Sequence, residues 1–208
     1  MAIFALAIGD ACMSKALALF DFDGTITTTD SFAQLLRFIV GDLRFAAGVG
    51  LLSPLLAGFK LGILPNYLVK PVVTGWFLKG LDREKFNKLA QSFVKERLNR
   101  LVRPPAMKKI LWHLQQQHRV IVVSASFEDY LKFWCEQHRL ELIGTRLEWA
   151  DERITGRFAS PNCYGPEKVV RIREHLDLAE YDEIYAYGDS RGDKEMLEIA
   201  GHKGYRVF

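Results

Sequence analysis

Four residues with carboxylate or hydroxyl side chains stand at, or just beyond, the ends of short apolar runs in this sequence. They are Asp21, Asp23, Ser124 and Asp189. If the three carboxylates meet, they repel one another strongly unless a cation lies among them. Oxygen ligands without a nearby His or Cys pattern favour Mg²⁺ over zinc. A carboxylate next to Mg²⁺ and close to the backbone N–H groups that follow Gly24 would be suited to attack phosphorus.

The apolar runs indicate how these side chains could be brought together. The runs are Ala16–Phe20, 119–123 and 183–187, and helical patterns at 104–117, 127–138 and 166–176 accompany them. Continuous apolar runs without polar alternation are typical of strands that are buried on both faces of a parallel sheet. Strands that alternate with helices predict an α/β fold with a doubly wound parallel sheet. In such a sheet ligands bind outside the carboxyl ends of the strands, so we expect the four side chains to converge there.

Lys168 is a further candidate, because it lies in the first turn of the helix that is predicted to begin at Pro166. A cation at this end of a helix is poorly placed for the helix dipole, which prefers negative charge. Binding of a phosphate anion would explain the position. A solvated lysine on a helix face is the alternative, and Lys168 on its own does not decide between them.

These motifs, in their order along the chain, resemble those of the haloacid dehalogenase-like superfamily. The matching positions are residues 21–27 for the Asp-x-Asp-x-Thr loop, Ser124 for the second motif, Lys168 for the third, and Gly188, Asp189 and Asp193 for the fourth. Four motifs in the right order form a specific pattern, whereas a single Asp-x-Asp does not. Within the superfamily, relatives that dehalogenate lack an acid at the position of Asp23, and transport ATPases carry Thr there. The resemblance therefore implies phosphatase or phosphomutase chemistry on a Rossmann-like core.

The resemblance also implies a role for each acid. Asp21 would be the nucleophile that forms an aspartyl-phosphate, and Asp23 would protonate the leaving oxygen and later activate water. Asp21, the backbone carbonyl of Asp23 and Asp189 would hold Mg²⁺. Asp193 would lie behind them and orient the lysine of the third motif or a water. Thr25 would belong to the same supporting layer.

The remaining matched residues would bind the phosphoryl group. Ser124 and Lys168 would hold its oxygens and offset the charge that builds in the transition state. Gly24 and Ala125 would contribute to the same phosphate site from the first and second motifs.

A large insertion separates the first two motifs. About 100 residues lie between Asp21 and Ser124, although a complete strand–helix–strand unit takes about 30. The extra residues are helical in pattern, which predicts a helical cap domain at 30–103, with the catalytic core formed by 16–29 and 104–208. A cap at this position resembles the branch of the superfamily that includes phosphoserine phosphatase. In that branch the cap excludes water from the site and recognises the leaving group of the substrate.

Two departures from that branch leave the substrate open. Asp30 stands where phosphoserine phosphatase has a Glu near the substrate's amino group, and Asp30 is therefore the predicted substrate residue of the cap. The Arg expected before Gly80 and Leu81 is missing, with Thr74 at the nearest spacing. A carboxylate ligand normally calls for an Arg fork. Phosphoserine or another small phosphate ester is one candidate substrate.

A lipid phosphate is the other candidate, because the apolar cap resembles that of the bacterial phosphatidylglycerophosphatase of this branch. Residues 45–64 are mainly apolar, and Ser53-Pro54 predicts an N-cap and Pro at the first helical position, hence two short helices. One interpretation is a helix pair buried in the core. The other is an interfacial surface that touches lipid, with three cations near anionic headgroups. These cations are Arg44, Lys60 and Lys70.

A single membrane crossing within the cap is excluded by topology, because it would put Asp21 and Ser124 on opposite sides of the bilayer. Composition narrows the protein class further. The chain has 208 residues, of which 49% are hydrophobic and 25% charged, as in globular proteins, and this excludes a disordered or collagen-like chain. The net charge of +3 is small, and no aromatic platform accompanies the basic residues, so no nucleic-acid partner is expected.

The cysteines and the N-terminal residues indicate the cellular compartment of the protein. Cys12, Cys135 and Cys163 form no close pair, which fits a reducing cytosol, and we expect a cytoplasmic protein with membrane association left open. Residues 1–15 are predicted to be an extension rather than a secretory signal, because no basic residue precedes the apolar run and Asp10 interrupts it. Met13 is an alternative start, and removal of residues 1–12 is expected to leave activity intact.

Two other functional classes stay open on the sequence. A phosphotransferase or phosphomutase would pass the phosphoryl group from the same aspartate to an acceptor other than water. A non-catalytic binding protein on this fold would normally have lost an acid in one of the four motifs, and none is lost here.

Overall fold

The computed structural model of this chain describes residues 15–208. The prediction of an N-terminal extension and of an alternative start at Met13 therefore lies outside the described residues, except for Lys15.

A five-stranded parallel sheet forms the centre of the fold, and a two-stranded antiparallel hairpin lies beside it. The strands are β1 (Ala16–Phe20), β2 (Arg119–Phe127), β3 (Glu141–Thr145), β4 (Leu147–Ala150), β5 (Arg153–Phe158), β6 (Glu183–Gly188) and β7 (His202–Tyr205). The strand order in the large sheet is β3-β2-β1-β6-β7, and β4 pairs with β5. The three predicted strands are thus the three central ones, with β1 between its two partners. Every residue of β1 is buried, as its unbroken apolar pattern predicts.

Helices cover both faces of the large sheet. They are α1 (Ser31–Val40), α2 (Asp42–Leu51), α3 (Ser53–Lys60), α4 (Asn66–Leu78), α5 (Arg83–Phe93), α6 (Asn99–Leu101), α7 (Pro104–Gln115), α8 (Glu128–His138), α9 (Pro166–His175) and α10 (Lys194–Glu198). Alternate residues of β1 point into two different apolar clusters. Leu17 packs in the cluster that contains Ile172 of α9, whereas Phe20 packs in the cluster that contains Ile110 of α7. The predicted α/β fold with a doubly wound parallel sheet is confirmed.

Of the seven α-helices between β1 and β2, the first six, α1–α6, precede α7, which leads into β2. We call residues 30–103 the cap segment. Leu35 of α1, Leu78 of α4 and Phe86 of α5 are fully buried in the same apolar cluster as Phe20 of β1. Most of the cap segment is therefore anchored to the core by shared apolar packing rather than by its linkers alone.

The two linkers of the cap segment pair with each other. Thr27 and Val102 form an antiparallel β-bridge. The backbone N–H of Arg103 donates to the carbonyl oxygen of Ile26 at 2.8 Å. The chain therefore leaves the core and returns to it at the same place.

Residues 45–64 form two short helices, as predicted, but these helices are not buried. Gly48 is the buried residue of α2, and α3 has none. Leu51 is 62% exposed and Leu61 is 75% exposed. The interpretation of this stretch as a buried helix pair is wrong, because the apolar side chains that face away from the core have no other element over them in the described part of the chain.

The predicted N-cap of α3 is also wrong by one residue. Leu52 is the N-cap and Ser53 already belongs to the helix, with Pro54 in its first turn. Helices α2 and α3 meet at an angle of 69°. Within residues 15–208 no single helix has the length and apolarity for a membrane crossing, although this bent pair meets both criteria when taken together.

Candidate active site

A buried lysine links two of the predicted acids at the carboxyl edge of the sheet. The Lys168 ammonium donates to Oδ1 of Asp21 at 2.6 Å, to Oδ1 of Asp193 at 2.6 Å and to the carbonyl oxygen of Val123 at 2.8 Å. Its three N–H donors are thus all used, and its side chain is 1% exposed. The alternative of a solvated lysine on a helix face is therefore wrong. Asp21 directly follows β1, and its backbone N–H donates to Tyr187 of β6 at 2.9 Å, which fixes its position.

The charges of this group depend on one another. Burial disfavours the charged form of Lys168, but the carboxylates of Asp21 and Asp193 outweigh burial and raise the pKa of Lys168. Burial raises the pKa of Asp21 to about 7, although Lys168 opposes this shift. For Asp193 burial also acts upward, but Lys168 and the hydrogen bonds from Ser190 outweigh it, so the pKa of Asp193 lies below its usual range. Asp193 is accordingly the fixed counter-charge of Lys168.

Asp23 points toward different partners from those of Asp21. Ser126 donates its hydroxyl to Oδ2 of Asp23 at 2.5 Å, and the backbone N–H of Ser31 donates to Oδ1 at 2.6 Å. Burial, together with the nearby charge of Asp30, raises the pKa of Asp23 to about 6 despite these hydrogen bonds. Neither contact was predicted from the sequence: Ser31 reaches Asp23 from the start of α1, and Ser126 reaches it from the irregular end of β2.

The loop after β1 is closely packed against Asp189. Gly24 has φ of +87°, and a Cβ at this position would lie 2.5 Å from a carboxylate oxygen of Asp189. Only glycine fits such a backbone conformation and such an approach without strain. Thr25 donates its hydroxyl to Oδ1 of Asp189 at 3.3 Å. Burial, and then the charge of Asp193, raises the pKa of Asp189.

Three of these acids form an acidic cluster, which we define as Asp21, Asp189 and Asp193. One carboxylate oxygen from each lies within 4.8 Å of the others. Both oxygens of Asp193 already accept hydrogen bonds, Oδ1 from Lys168 and Oδ2 from the hydroxyl and N–H of Ser190. Asp21 and Asp189 therefore offer the freer oxygens. An all-oxygen donor set of this kind fits a hard cation such as Mg²⁺ better than zinc.

The second predicted motif lies in a bulged part of β2. The strand pairing with β3 shifts register between Ser124 and Phe127. The Ser124 hydroxyl oxygen accepts the N–H of Ser126 at 3.0 Å, so its own hydrogen stays available for donation. The irregularity leaves the carbonyl oxygen of Ala125 outside the ladder, where the Thr145 hydroxyl donates to it at 2.7 Å.

A cavity of about 390 Å³ extends from these residues into the cap segment. Asp21, Asp23 and Ser124 line its inner end. Its other walls are mainly apolar side chains of α1–α4, among them Phe32, Leu36, Phe45, Leu56, Phe59 and Val73. We call the space the cap cavity.

Two charged residues of the cap segment also line the cap cavity. Asp30, the predicted substrate residue, is exposed and acts as the N-cap of α1, accepting the N–H of Ala33 at 2.9 Å. Lys70 of α4 donates to the carbonyl oxygen of Ala125. Lys70 was expected near lipid headgroups, but its ammonium is instead directed into the cavity.

The fold and the site define an α/β protein whose reactive groups stand at the carboxyl ends of parallel strands. Comparison with protein families identifies the family within this class. The family model of the haloacid dehalogenase-like hydrolases matches residues 18–198. The chain belongs to this family.

Individual relatives resemble the chain over nearly its full length. The protein CicA of Caulobacter vibrioides (strain NA1000 / CB15N) is 35% identical over 202 residues, which cover 96% of this chain and 90% of CicA. A crystal structure of a protein of unknown function from Bordetella pertussis Tohama I has a TM-score of 0.82 at 24% identity and covers 91% of this chain and 89% of its own. A substrate-bound phosphoserine phosphatase has a TM-score of 0.61 at 24% identity, over 92% of this chain and 85% of its own. The two structures support the fold.

Proposed function

We propose that this chain is a Mg²⁺-dependent phosphomonoester hydrolase that works through an aspartyl-phosphate on Asp21. The observation that carries the proposal is the buried ion pair of Asp21 and Lys168 at the inner end of the cap cavity, with Asp189 beside it. Family membership agrees with a hydrolase of this kind.

Asp21 is suited to attack phosphorus because Lys168 holds one of its carboxylate oxygens and leaves the other free. In the first step this free oxygen forms a bond to phosphorus while the bond from phosphorus to the leaving oxygen breaks. The free hydroxyl hydrogen of Ser124 would bind a phosphoryl oxygen, and the positive charge of Lys168, held in place by Asp193, would act on the phosphoryl group from beside Asp21. Gly24 and Ala125 would add backbone contacts from their loops. Charge that builds on the phosphoryl group would be offset by groups that need not move.

Asp23 would carry the proton in both steps. Its pKa of about 6 lies close to neutral pH, where a group can both donate and accept protons efficiently. It would protonate the leaving oxygen in the first step. In the second step it would take a proton from the water that attacks phosphorus, which releases phosphate and restores Asp21.

Asp21, Asp189 and the backbone carbonyl of Asp23 are the groups that would hold Mg²⁺. The ion would supply positive charge against the phosphoryl oxygens when bound. Thr25 and Asp193 would support this group of ligands, Thr25 through Asp189 and Asp193 through Lys168.

For the substrate, we propose a lipid phosphate such as phosphatidylglycerophosphate. The apolar walls of the cap cavity suit an acyl chain, and α2 and α3 expose large apolar side chains next to it. Arg44 and Lys60 are exposed on the same helices and could meet anionic headgroups. Residues 45–64 would then contact a membrane peripherally, as an interfacial helix pair. The cytoplasmic location stays a prediction.

A small phosphate ester is the second candidate, and Asp30 is the observation that favours it. Its carboxylate lines the cap cavity and could pair with an amino group. Phosphoryl transfer to an acceptor other than water uses the same first step, so it is tested by the products.

The test is phosphate release in the presence of Mg²⁺, with the Asp21→Asn protein as the blank. Phosphoserine and other soluble monoesters are compared with phosphatidylglycerophosphate in detergent micelles. Higher kcat/KM for the lipid supports the lipid assignment, and higher kcat/KM for soluble esters overturns it. Loss of ester without equivalent phosphate release identifies a transferase. No reaction with any ester would favour a binding protein and contradict the proposal.

A further inference from the structure

We propose that the ammonium of Lys70 selects the substrate by binding an anionic group on the leaving group of the phosphomonoester. This inference rests on the proposed function, because it concerns the part of the substrate that is released. It adds a requirement that a lipid chain alone does not meet. The substrate must carry a second negative charge besides its ester phosphate.

The location of Lys70 is the first observation. Lys70 lies on α4 in the cap segment, but its ammonium donates to the carbonyl oxygen of Ala125 in the core. Ala125 directly follows Ser124, so the ammonium stands next to the predicted phosphate site. The ammonium also lies 4.7 Å from the ring centre of Phe127 and 5.4 Å from that of Phe32. It is therefore held at the wall of the cap cavity, between the reactive acids and the apolar part.

The missing counter-charge is the second observation. Within residues 15–208 the Lys70 ammonium forms no close ion pair, and the negative charges of Asp30 and Asp23 act on it only at longer range. One carbonyl oxygen accepts from it, although an ammonium has three donors. Lys70 is partly buried, and a cation withdrawn from water is costly unless it is paired and hydrogen-bonded. A bound anion would supply the missing charge and the missing acceptors.

The scarcity of other cations is the third observation. Of the described residues that line the cap cavity, two are cations, Lys70 and Lys168. Lys168 is committed to Asp21 and Asp193. Thr74, which stands at the nearest spacing to the Arg of phosphoserine phosphatase, is fully buried and donates its hydroxyl to the carbonyl oxygen of Lys70 at 2.7 Å. Lys70 is thus the cation that remains for a second anion.

The anion could be a phosphodiester or a carboxylate, since an ammonium binds either. In a lipid substrate of this kind, the ester phosphate, the phosphodiester and the apolar chains follow one another. The predicted phosphate site, Lys70 and the apolar walls of the cap cavity follow in the same order. A carboxylate on a small leaving group would use Lys70 in the same way and leave the apolar walls unfilled. Two matched pairs of substrates separate these sources.

The experiment compares kcat and KM within each pair. Phosphatidylglycerophosphate and phosphatidic acid in the same detergent differ in a phosphodiester on the leaving group. Phosphoserine and phosphoethanolamine differ in a carboxylate. We expect Lys70→Met to lower kcat/KM for the anionic member of one pair by about 10- to 100-fold, mainly through KM, because a hydrogen bond to a charged group is lost. The member of each pair whose leaving group lacks the anion should change by less than about 3-fold, within the usual effect of a surface change.

Two further variants control the experiment. Lys70→Arg keeps the charge and should recover most of the lost kcat/KM. Lys85→Met removes an exposed charge from α5 of the cap segment and should leave both pairs unchanged. Equal loss on both members of each pair, or no loss on any, would overturn the assignment of Lys70.

Binding tests the assignment independently of turnover. In the Asp21→Asn background, affinity for both members of each pair is measured by calorimetry with and without Lys70→Met. Weaker binding of the member that carries the anion after Lys70→Met, beside unchanged binding of the member that lacks it, supports the role of Lys70 even if no ester is hydrolysed by the unaltered protein. Unchanged binding of both anionic members overturns it, whatever the fate of the proposed hydrolase activity.

Discussion

The core and the cap segment each direct a lysine toward the same cavity, but they surround it in opposite ways. Lys168 in the core has two carboxylates at 2.6 Å and a carbonyl oxygen at 2.8 Å. Lys70 in the cap segment has one carbonyl oxygen and two aromatic rings. The first lysine is electrostatically complete without a ligand, whereas the second is not.

This difference separates the part of the molecule that would perform chemistry from the part that would recognise substrate. A group that stabilises a transition state works best when it is already in place before the reaction. A group that selects a ligand gains its specificity when it lacks a partner until the ligand arrives. The core site is of the first kind, and the cap cavity is of the second.

The largest expected effect comes from breaking the core site. Asp21→Asn should lower kcat by about 10⁴-fold or more, because the nucleophile is lost while the fold is kept. Phosphate release under saturating substrate measures it, and circular dichroism checks the fold. Near-normal turnover would contradict the mechanism.

Asp23→Asn should block the reaction in the same site at a later step. It removes the proton carrier, which is typically worth about 10²- to 10⁴-fold, and it leaves the nucleophile intact. We expect at most slow formation of a covalent intermediate that then stalls. Rapid-quench measurement should find leaving group released in an amount close to that of the enzyme, with little free phosphate. Equal release of both products at the normal rate would argue against Asp23.

Removing each lysine in turn sharpens the comparison. Lys168→Met leaves two buried carboxylates without their partner, which typically costs about 3–5 kcal/mol of unfolding free energy. Lys70→Met removes a cation that no close carboxylate pairs, so its unfolding free energy at pH 7 should not fall and is expected to rise. Urea unfolding at pH 7 measures both. Similar losses for the two variants would mean that Lys70 is as fully paired as Lys168.

The folding stability of the original protein and that of Lys70→Met should respond differently to pH. Burial lowers the pKa of Lys70 to about 8 from an ordinary value of 10.5. Between these pH values the unfolded chain binds more protons at Lys70 than the folded chain, so folding stability rises with pH there. The charged Lys70 ammonium thus lowers the unfolding free energy by its full amount below pH 8, and this destabilisation disappears by about pH 10.5. Relative to Lys70→Met, the original protein should gain stability across this window, as urea unfolding at pH 7.5, 9 and 10 would measure.

Gly24→Ala is expected to have a smaller effect that stays in the core. The added Cβ would meet Asp189 at 2.5 Å, and the φ of +87° strains any other residue. We expect a loss of about 1–3 kcal/mol in unfolding free energy. Weaker Mg²⁺ activation should accompany it, because Asp189 has to move. Thr28→Ala in the same loop region, at an exposed position, is the control. Unaltered Mg²⁺ dependence would argue against Asp189 as a ligand.

The sequence predicted the core site far better than the cap cavity, and the reason is physical. Asp21, Ser124 and Asp189 each stand at the end of a central strand, where a parallel sheet brings side chains together whatever the rest of the chain does. The partners of Asp23 were missed because Ser31 meets it only when α1 packs on the core, and Ser126 meets it through the irregular end of β2. No local pattern encodes such a meeting.

The cap segment was less predictable because composition does not say which face of a helix is covered. Residues 45–64 are apolar enough for either a buried or an interfacial pair, and the outcome depends on how many elements surround them. Lys70 had no distinguishing neighbours in the sequence. Its direction follows from the way α4 packs across the cavity, which only the tertiary structure specifies.

The pairing of Thr27 with Val102 has a consequence for how such a molecule can be rebuilt. Because the chain departs and returns at neighbouring points, the distance to be spanned is the same for any insert, short or long. Helices could be lengthened, removed or exchanged between relatives without stretching the sheet. An exchanged insert must still cover Phe20 and its neighbours with an apolar face, because the core and the cap segment share this apolar cluster. The unit of exchange is therefore α1, α4 and α5 together, whereas a change in α2 or α3 would leave most of that surface covered and would alter the walls of the cap cavity instead.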